Sequence, residues 1–139
     1  MIANDLMTPD PYRVVQDQPL RAARALMDEY DLRHLPVVDG EGALIGILSD
    51  RDVRAYMPWS DQQGDPSIDA LDKAEDPVSA LMQPEPFRIH PDDGVPEIIE
   101  TMLVYKVGAI PVVEAGSDRL LGIVSYIDVL RAAKDLMKD

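Results

Sequence analysis

Apolar residues recur along the chain at two different spacings, and these spacings predict two kinds of element. Leu20, Ala23, Met27 and Tyr30 follow one another at intervals of three and four, which places them on one face of a helix. Pro19 suits the first helical position, with Asp17 as its capping oxygen. The same rhythm returns further along, in Val95, Ile98, Ile99 and Met102. The sequence therefore predicts two amphipathic helices.

Shorter apolar runs predict strands. Residues 35–38 and 44–48 flank 39–42, a Gly-rich segment typical of a hairpin turn, and residues 110–113 and 120–124 flank a similar turn. A short extended piece precedes each amphipathic helix, at residues 12–15 and 87–90, where nearby prolines disfavour helix. Helices are expected to follow the second hairpin strands, because a Ser stands three residues before an acid in both places.

The chain contains its own pattern twice. Residues 6–13 return as residues 81–88, and Pro-Val-Val at 36–38 returns at 111–113, in both cases 75 positions later (Leu81 against Leu6). Beyond the second turn, which is one residue longer, the offset is 76 (Gly122 against Gly46). An internal repeat determines the architecture. We expect repeat 1 at 2–57, an acidic linker at 58–77 and repeat 2 at 78–136.

Each copy reads β-α-β-β-α, which is too short to bury both faces of its small sheet alone. The predicted fold class is therefore mixed, α/β (α+β), with the two copies packed through their sheets in pseudo-two-fold symmetry. The cleft between them is the default ligand site. Trp59, in the linker, is interpreted as a packed anchor, with a partner contact as the alternative.

Composition narrows the function further. The 139 residues contain 26 acidic and 13 basic side chains, a formal net charge of −13, so nucleic acid is not an expected partner. An anionic ligand would need a local concentration of positive charge. No apolar run approaches the roughly 18 residues of a membrane span, and no signal segment is visible, so a cytoplasmic location without membrane association is expected.

The residues that most catalytic sites use are scarce. Cysteine is absent, the two histidines are distant from each other in sequence, and no Gly-rich phosphate loop or nucleophile-base set is visible. We therefore expect no enzyme, no catalytic residues, no catalytic cofactor and no histidine-based metal site.

The complete order of signals, found twice, resembles a known family. The order is a lead-in segment (residues 6–13 in the first copy and 81–88 in the second), an amphipathic helix, an apolar-Pro-Val-Val strand and Gly-Ile-apolar-Ser-x-x-Asp. This order is similar to the cystathionine-β-synthase (CBS) domain, here as the tandem pair called a Bateman module. The resemblance implies a regulatory module that binds AMP, ADP, ATP or S-adenosylmethionine in one or both clefts between the repeats. It also implies a homodimer, a disc of four repeats, that signals to a regulated protein not yet known. The chain has room for no fused domain, so a stand-alone module is expected; the alternative is a ligand-free dimeric scaffold that docks on an enzyme or transporter.

The resemblance also implies site residues. Ser49 and Asp52 would serve one cleft and Ser125 and Asp128 the other, the acid accepting hydrogen bonds from ribose hydroxyls, although both pairs could simply cap helices. The residues before the Pro-Val-Val strands would face the ligand's phosphates. In the first copy they are basic, and in the second they are small; these residues are Arg33, His34, Gly108 and Ala109. The basic pair could instead be solvated.

Adenine is expected against the lead-in segment of the opposite copy. Candidates for the cleft holding Asp128 are Thr8, Tyr12 and Arg13, and candidates for the cleft holding Asp52 are Gln83, Phe87 and Arg88. The two aromatic residues could equally belong to the core, which is the interpretation favoured for Phe87. Arg51 could approach a phosphate or pair with a neighbouring acid, and the pair is the favoured interpretation. Tyr30 and Tyr105 are interpreted as packing residues, and His90 as a strand-end residue without an acidic partner.

Overall fold

A computed structural model describes residues 1–57 and 68–138, with helix backbone alone at 68–70. The chain divides into two compact units. The middle unit is Tyr12–Glu85, and the terminal unit combines Met1–Pro11 with Pro86–Asp139. Each unit therefore joins the body of one sequence repeat to the lead-in segment of the other. Trp59 and the first half of the predicted linker lie outside the described residues.

The middle unit contains a four-stranded sheet in the order β2-β3-β4-β5. β2 runs parallel to β3, and the other two pairs are antiparallel. The strands are β2 (Val14–Val15), β3 (His34–Val38), β4 (Leu44–Ser49) and β5 (Gln83–Pro84). The helices are α2 (Leu20–Tyr30), α3 (Asp50–Tyr56) and α4 (Ile68–Lys73), followed by a 3-10 turn at Val78–Ala80.

The terminal unit contains a three-stranded sheet in the order β1-β7-β6, all antiparallel. Ile89 adds an isolated parallel bridge to Val112, in the place that β2 takes in the middle unit. The strands are β1 (Thr8–Pro9), β6 (Ala109–Val113) and β7 (Leu120–Ser125), and the helices are α1 (Ala3–Leu6), α5 (Val95–Tyr105) and α6 (Tyr126–Leu136). The mixed α and β class predicted from the sequence is confirmed.

The two predicted hairpins are present, and their strands pair in equivalent registers. In the first turn the Asp39 carboxylate accepts hydrogen bonds from the backbone N–H groups of Glu41 (2.9 Å) and Ala43 (3.0 Å). Gly42 has φ +87°, a backbone conformation that glycine adopts without strain. The register shifts at Val37/Val38 and again at Val112/Val113, so the duplication extends to the irregularities of the sheets.

Helix α2 buries the face that the sequence predicts, except at its end. Leu20, Ala23 and Met27 are buried, whereas Tyr30 is 43% exposed. The first turn is also shifted by one residue, since Pro19 is the N-cap and no side chain caps the helix. The expected capping by Asp17 is therefore wrong. Leu20 and Arg21 instead donate their N–H groups to backbone carbonyls after α4, at Asp76 and Ala74, both at 2.9 Å.

The second half of the expected linker is structured. It forms α4, buries Ala74 and leads into Val78, which belongs to the core of the middle unit. Its backbone satisfies N–H groups that the start of α2 would otherwise leave unpaired. Residues 68–77 of the expected linker thus contribute a helix and a buried alanine to the middle unit. Among the described residues, no helix combines the length and apolar composition needed to cross a bilayer.

Candidate functional site

In the middle unit, four of the predicted site residues meet where β3 begins and β4 ends. His34 is the register partner of Ser49, and the N–H of Asp50 donates to the carbonyl oxygen of Arg33 at 2.8 Å. Asp52 follows in the first turn of α3. The antiparallel register of one hairpin therefore brings Arg33, His34, Ser49 and Asp52 to the same end of the sheet. We call this place the middle junction.

The Ser49 hydroxyl caps α3, whereas the Asp52 carboxylate remains available. Ser49 Oγ accepts a hydrogen bond from the N–H of Asp52 at 3.0 Å. The Asp52 side chain is exposed, and within the described residues it forms no hydrogen bond or ion pair. Capping by Ser49 and ligand binding by Asp52 are therefore compatible.

Two exposed arginines lie in or next to the middle junction, Arg33 within it and Arg51 directly before Asp52. Arg33 and Arg51 have no ion pair within the part of the chain that the structure describes. The expectation that Arg51 pairs with an acid is therefore wrong. The neighbouring arginine Arg54 is the one that pairs with acids, with its Nε 3.0 Å from the Asp50 carboxylate and its Nη2 3.3 Å from the Asp28 carboxylate. The junction thus keeps positive charge in a strongly acidic chain.

His34 contributes little of that charge near neutral pH. Partial burial lowers its pKa below the usual value, and the positive charge of Arg33 lowers it further. The carboxylate of Asp50 opposes this shift. His34 is therefore mainly neutral at pH 7, and the cationic pair expected from the sequence reduces to Arg33.

The terminal unit repeats the backbone geometry with different side-chain contacts. Ala109 is the register partner of Ser125, and the N–H of Tyr126 donates to the carbonyl oxygen of Gly108 at 3.0 Å. We call this place the terminal junction. Asp128 completes a capping box here, accepting from the N–H of Ser125 at 2.8 Å.

Asp128 is buried and engaged on both carboxylate oxygens. Its Oδ2 also accepts a hydrogen bond from Ser125 Oγ at 3.2 Å, and its Oδ1 lies 3.6 Å from Arg131 Nη1. The residue is only 8% exposed. It lines a groove of about 260 Å³ between α1 and α6, together with Asp5, Arg131 and Asp135. Capping therefore explains Asp128 in this structure.

The lead-in strands lie beside the junction strands of the opposite copy. Thr8 is the register partner of Ile123, two residues before Ser125, and Gln83 is the partner of Ile47, two residues before Ser49. Both side chains are exposed. The structure thus brings Thr8 and Gln83 to the strands that the sequence assigned to them, while their part in binding stays a prediction.

The other lead-in candidates are occupied within their own units. In the middle unit Tyr12 stacks on Tyr30, with ring centroids 4.1 Å apart, and in the terminal unit Phe87 lies 4.7 Å from Tyr105. Phe87 is 44% exposed, so its placement in the core is wrong. The sequence does contain the signal for these pairs, because both aromatic residues recur at the same offset.

The remaining charged candidates also have neighbours. Arg88 Nη1 lies 3.1 Å from the Asp118 carboxylate, and Arg13, in the middle unit, also has an interaction partner. His90 Nδ1 lies 3.9 Å from the Asp93 carboxylate, which also accepts a hydrogen bond from the backbone N–H of His90 at 2.8 Å. The expectation of no acidic partner for His90 is therefore wrong. Throughout the described ranges, no group of three or more His, Cys, Asp or Glu side chains is arranged to hold a metal ion.

The two hairpins have equivalent registers, and each leads into a Ser-x-x-Asp helix start and pairs with the lead-in strand of the other copy. A duplicated unit of this kind agrees with a family model that matches the chain twice. The sequence model of the CBS domain matches residues 3–58 and 78–135. The chain belongs to the CBS domain family. Its two sequence repeats are CBS repeats, and the resemblance found in the sequence is confirmed.

Similar proteins include CBS pairs and much larger enzymes. A CBS domain-containing protein of Dictyostelium discoideum is 30% identical over 94% of this chain and 89% of its own length. An inosine-5'-monophosphate dehydrogenase of Methanocaldococcus jannaschii is 29% identical over 95% of this chain, but the chain spans only 23% of that enzyme. The solved structure of CBSX2 in complex with AMP is 27% identical, covers 99% of this chain and 98% of its own, and has a TM-score of 0.82.

Proposed function

We propose that this CBS pair is a regulatory module that binds an adenosine-containing ligand and signals its presence to another protein. The observation that carries the proposal is the middle junction, where Arg33, Ser49, Arg51 and Asp52 occupy one end of the sheet and the Asp52 carboxylate has no partner within the described residues. The solved complex of the similar CBSX2 with AMP supports the choice of ligand class. The candidates are AMP, ADP, ATP and S-adenosylmethionine.

The chemistry of the middle junction suits a nucleoside. A carboxylate can accept two hydrogen bonds from the adjacent 2′- and 3′-hydroxyls of ribose, and such charge-assisted bonds are stronger than neutral ones. A guanidinium group offers paired donors to a phosphate. Arg33 and Arg51 supply these donors in a chain that otherwise repels anions.

Calorimetric titration of the full chain with each of the four candidates tests this proposal. We expect AMP, ADP or ATP to bind, and Asp52→Ala to weaken binding by about 1.5–3 kcal/mol because the hydrogen bonds to a charged acceptor are lost. Asp17→Ala is the matched control, since it removes an exposed carboxylate elsewhere in the same unit. If a folded chain binds none of the four candidates, the sensor proposal is wrong and the ligand-free scaffold becomes the better explanation.

The signalling part of the proposal rests on how the family is distributed. In the inosine-5'-monophosphate dehydrogenase of Methanocaldococcus jannaschii, the region similar to this chain is only 23% of the length. A CBS pair can therefore accompany a much larger enzyme. For the present chain we propose a separate or fused protein whose activity changes when the ligand binds.

We also propose that the chain forms a homodimer. Helices α5 and α6 both pack on the terminal core and carry exposed apolar side chains. We define the apolar face by five of these residues, with exposed fractions of 47–68%: Leu103, Val104, Tyr126, Ile127 and Leu130. Exposed apolar patches commonly mark interaction surfaces.

The same positions in the other repeat are charged. By the repeat offsets, Leu103 corresponds to Asp28, Tyr126 to Asp50 and Leu130 to Arg54, and these three charged residues form an ion-pair network. The proposed occupant of the apolar face is the same face of a second copy. Two chains of net charge −13 repel each other least where neither presents a carboxylate.

Sedimentation equilibrium tests the homodimer with a variant copied from the other repeat. Leu103→Asp combined with Leu130→Arg would recreate the Asp28–Arg54 pair, and we expect this double variant to be monomeric while the wild type is dimeric. Leu71→Arg is the control, because Leu71 is 55% exposed on α4 in the middle unit. A wild-type chain that remains monomeric at every accessible concentration would contradict the proposal.

A further inference from the structure

We infer that each chain binds a single anionic adenosine phosphate, at the middle junction, and that the Ser-x-x-Asp sequence of the terminal junction serves only to hold the start of α6. This inference rests on the proposed function and makes it more specific, because it names the ligand class and the number of sites. The two junctions share backbone geometry, so the difference lies in their side chains.

The first difference is the availability of the aspartate. Asp128 is 8% exposed, accepts from the N–H and the hydroxyl of Ser125, and lies 3.6 Å from Arg131. Its Oδ2 holds the capping box of α6, and its Oδ1 lies beside Arg131, so burial leaves little of this carboxylate accessible to a ribose. Asp52 is exposed and, in the described ranges, has no such bonds to lose. Binding at Asp52 therefore costs the fold little.

The second difference is positive charge. All the arginines lie in the described residues, and within these residues Arg33, Arg51 and Arg119 make no ion pair or side-chain hydrogen bond. Arg33 belongs to the middle junction and Arg51 directly precedes Asp52, whereas the repeat offsets place Gly108 and Ile127 at the same positions of the terminal junction. An arginine that forms no ion pair with the described acidic residues is available for an external anion.

The third difference is the charge of the surroundings. The groove beside Asp128 is lined by the three carboxylates of Asp5, Asp128 and Asp135, which outnumber its positive groups, the Arg131 guanidinium and the Met1 amino group. This balance repels a phosphate. Beside the middle junction, the carboxylate of Asp50 is paired with Arg54 at 3.0 Å. Both the hydroxyl acceptor and the phosphate partner thus belong to one unit.

The ligand class follows from these groups. A carboxylate acceptor suits neighbouring ribose hydroxyls, and two guanidinium groups without ion pairs in the described residues suit an anion on the same molecule. AMP contains both features. Adenosine lacks the anion, 2′-deoxy-AMP lacks one hydroxyl, and S-adenosylmethionine carries a sulfonium in place of the phosphate, so each of them should bind more weakly.

Stoichiometry in the wild-type chain is the first test, because it needs no variant that could misfold. Calorimetric titration with AMP should give one site per chain, with adenosine and 2′-deoxy-AMP each bound about tenfold more weakly, the effect of losing one or two good hydrogen bonds. Two AMP molecules per chain, or tighter binding of S-adenosylmethionine than of AMP, would overturn the inference and leave the broader proposed function intact. No binding of any adenosyl compound would overturn both.

Variants then locate the site. Asp52→Asn should weaken AMP binding about tenfold or more, and so should Arg33→Gly combined with Arg51→Ile, which copies the residues of the terminal junction. Arg21→Ala removes a positive charge elsewhere in the middle unit and should leave AMP affinity within about twofold. Asp128→Asn should lower the melting temperature without changing the affinity or the stoichiometry. Loss of AMP binding in a folded Asp128→Asn chain, with Asp52→Asn unaffected, would overturn the inference.

Discussion

At the scale of single residues, the imidazole of His34 shows how the two copies have diverged. It is partly buried beside Arg33, and its counterpart in the terminal unit is Ala109. Burial and the neighbouring guanidinium both disfavour the protonated form, so the pKa of His34 is lowered in the folded chain. In the unfolded chain the pKa returns to about 6.5. The unfolded state therefore binds more protons than the folded state as the solution becomes acidic.

This difference predicts a pH-dependent stability. The penalty for protonating His34 is absent well above pH 6.5 and grows as the pH falls below that unfolded-state value. We expect His34→Ala to flatten the fall in melting temperature between about pH 7.5 and pH 5.5, a window above the range where most carboxylates titrate. His90→Ala, at a histidine whose side chain is 46% exposed, is the control. Equal pH slopes for the wild type and His34→Ala would contradict the expectation.

Identical motifs with different contacts mark the limit of prediction at this scale. The sequence gives Ser49/Asp52 and Ser125/Asp128 the same spacing, and both serines do cap helices. It does not reveal that Asp128 is buried beside Arg131 whereas Asp52 is exposed. That difference depends on which elements pack over each junction, and such packing lies outside any local pattern.

At the scale of elements, the lead-in strands β1 and β5 depend on two glycines. A Cβ placed on Gly122 would come within 2.5 Å of Met7 Sδ and 3.0 Å of the Thr8 carbonyl oxygen. A Cβ on Gly46 would come within 2.5 Å of Met82 Sδ and 3.1 Å of the Gln83 carbonyl oxygen. The sulfur can move aside, but the backbone oxygen is fixed by strand pairing. These glycines therefore let each lead-in strand approach the second hairpin strand closely.

Replacing either glycine should loosen the corresponding lead-in strand. We expect Gly122→Ala and Gly46→Ala each to lower the free energy of unfolding by about 1–3 kcal/mol, the usual cost of overpacking, as measured by urea denaturation. Gly40→Ala is the control, since an added Cβ there meets nothing within 4 Å. In Gly122→Ala the N–H of Asp10, which donates to Leu121 O at 2.9 Å, should also exchange faster with deuterium. An unchanged free energy of unfolding in both variants would show that the close approach is not required.

The hairpins could be predicted because turn chemistry is local. Asp39 and Gly42 lie within the turn that they form, and the apolar runs beside them are long enough to show a pattern. The pairing of β1 with β7, and of β5 with β4, could not be predicted from the pattern. β1 and β5 each contain two residues, one of them proline, and give no periodic signal. Helix α4 was missed for a similar reason, since six residues in an acidic stretch show no amphipathic rhythm.

At the scale of the whole chain, the compact units do not coincide with the sequence repeats. The middle unit takes Ala74, Val78 and β5 from beyond repeat 1, and the terminal unit takes α1 and β1 from the start of the chain. A chain cut at the repeat boundaries would therefore lose core residues that a chain cut at the unit boundaries keeps.

Two fragments test this difference. Residues 12–85 contain every element of the middle unit, whereas residues 2–57 contain the sequence of repeat 1 without Ala74, Val78 or β5. We expect the first fragment to unfold cooperatively on heating, followed by circular dichroism at 222 nm, a wavelength that reports helix, and the second to show a broad transition of low amplitude. A cooperative transition of residues 2–57 at an equal or higher temperature would show that the sequence repeat folds by itself.

The terminal unit contains both the first eleven residues and the last part of the chain, so the middle unit is, in topological terms, an insertion within it. Tension applied to the two outer segments acts on the terminal unit first. Only after that unit has come apart does the backbone at residues 11–12 and 85–86 transmit the load. A mechanical disturbance arriving through the ends of this chain would thus be absorbed by the unit holding Asp128 before it reached the unit holding Asp52.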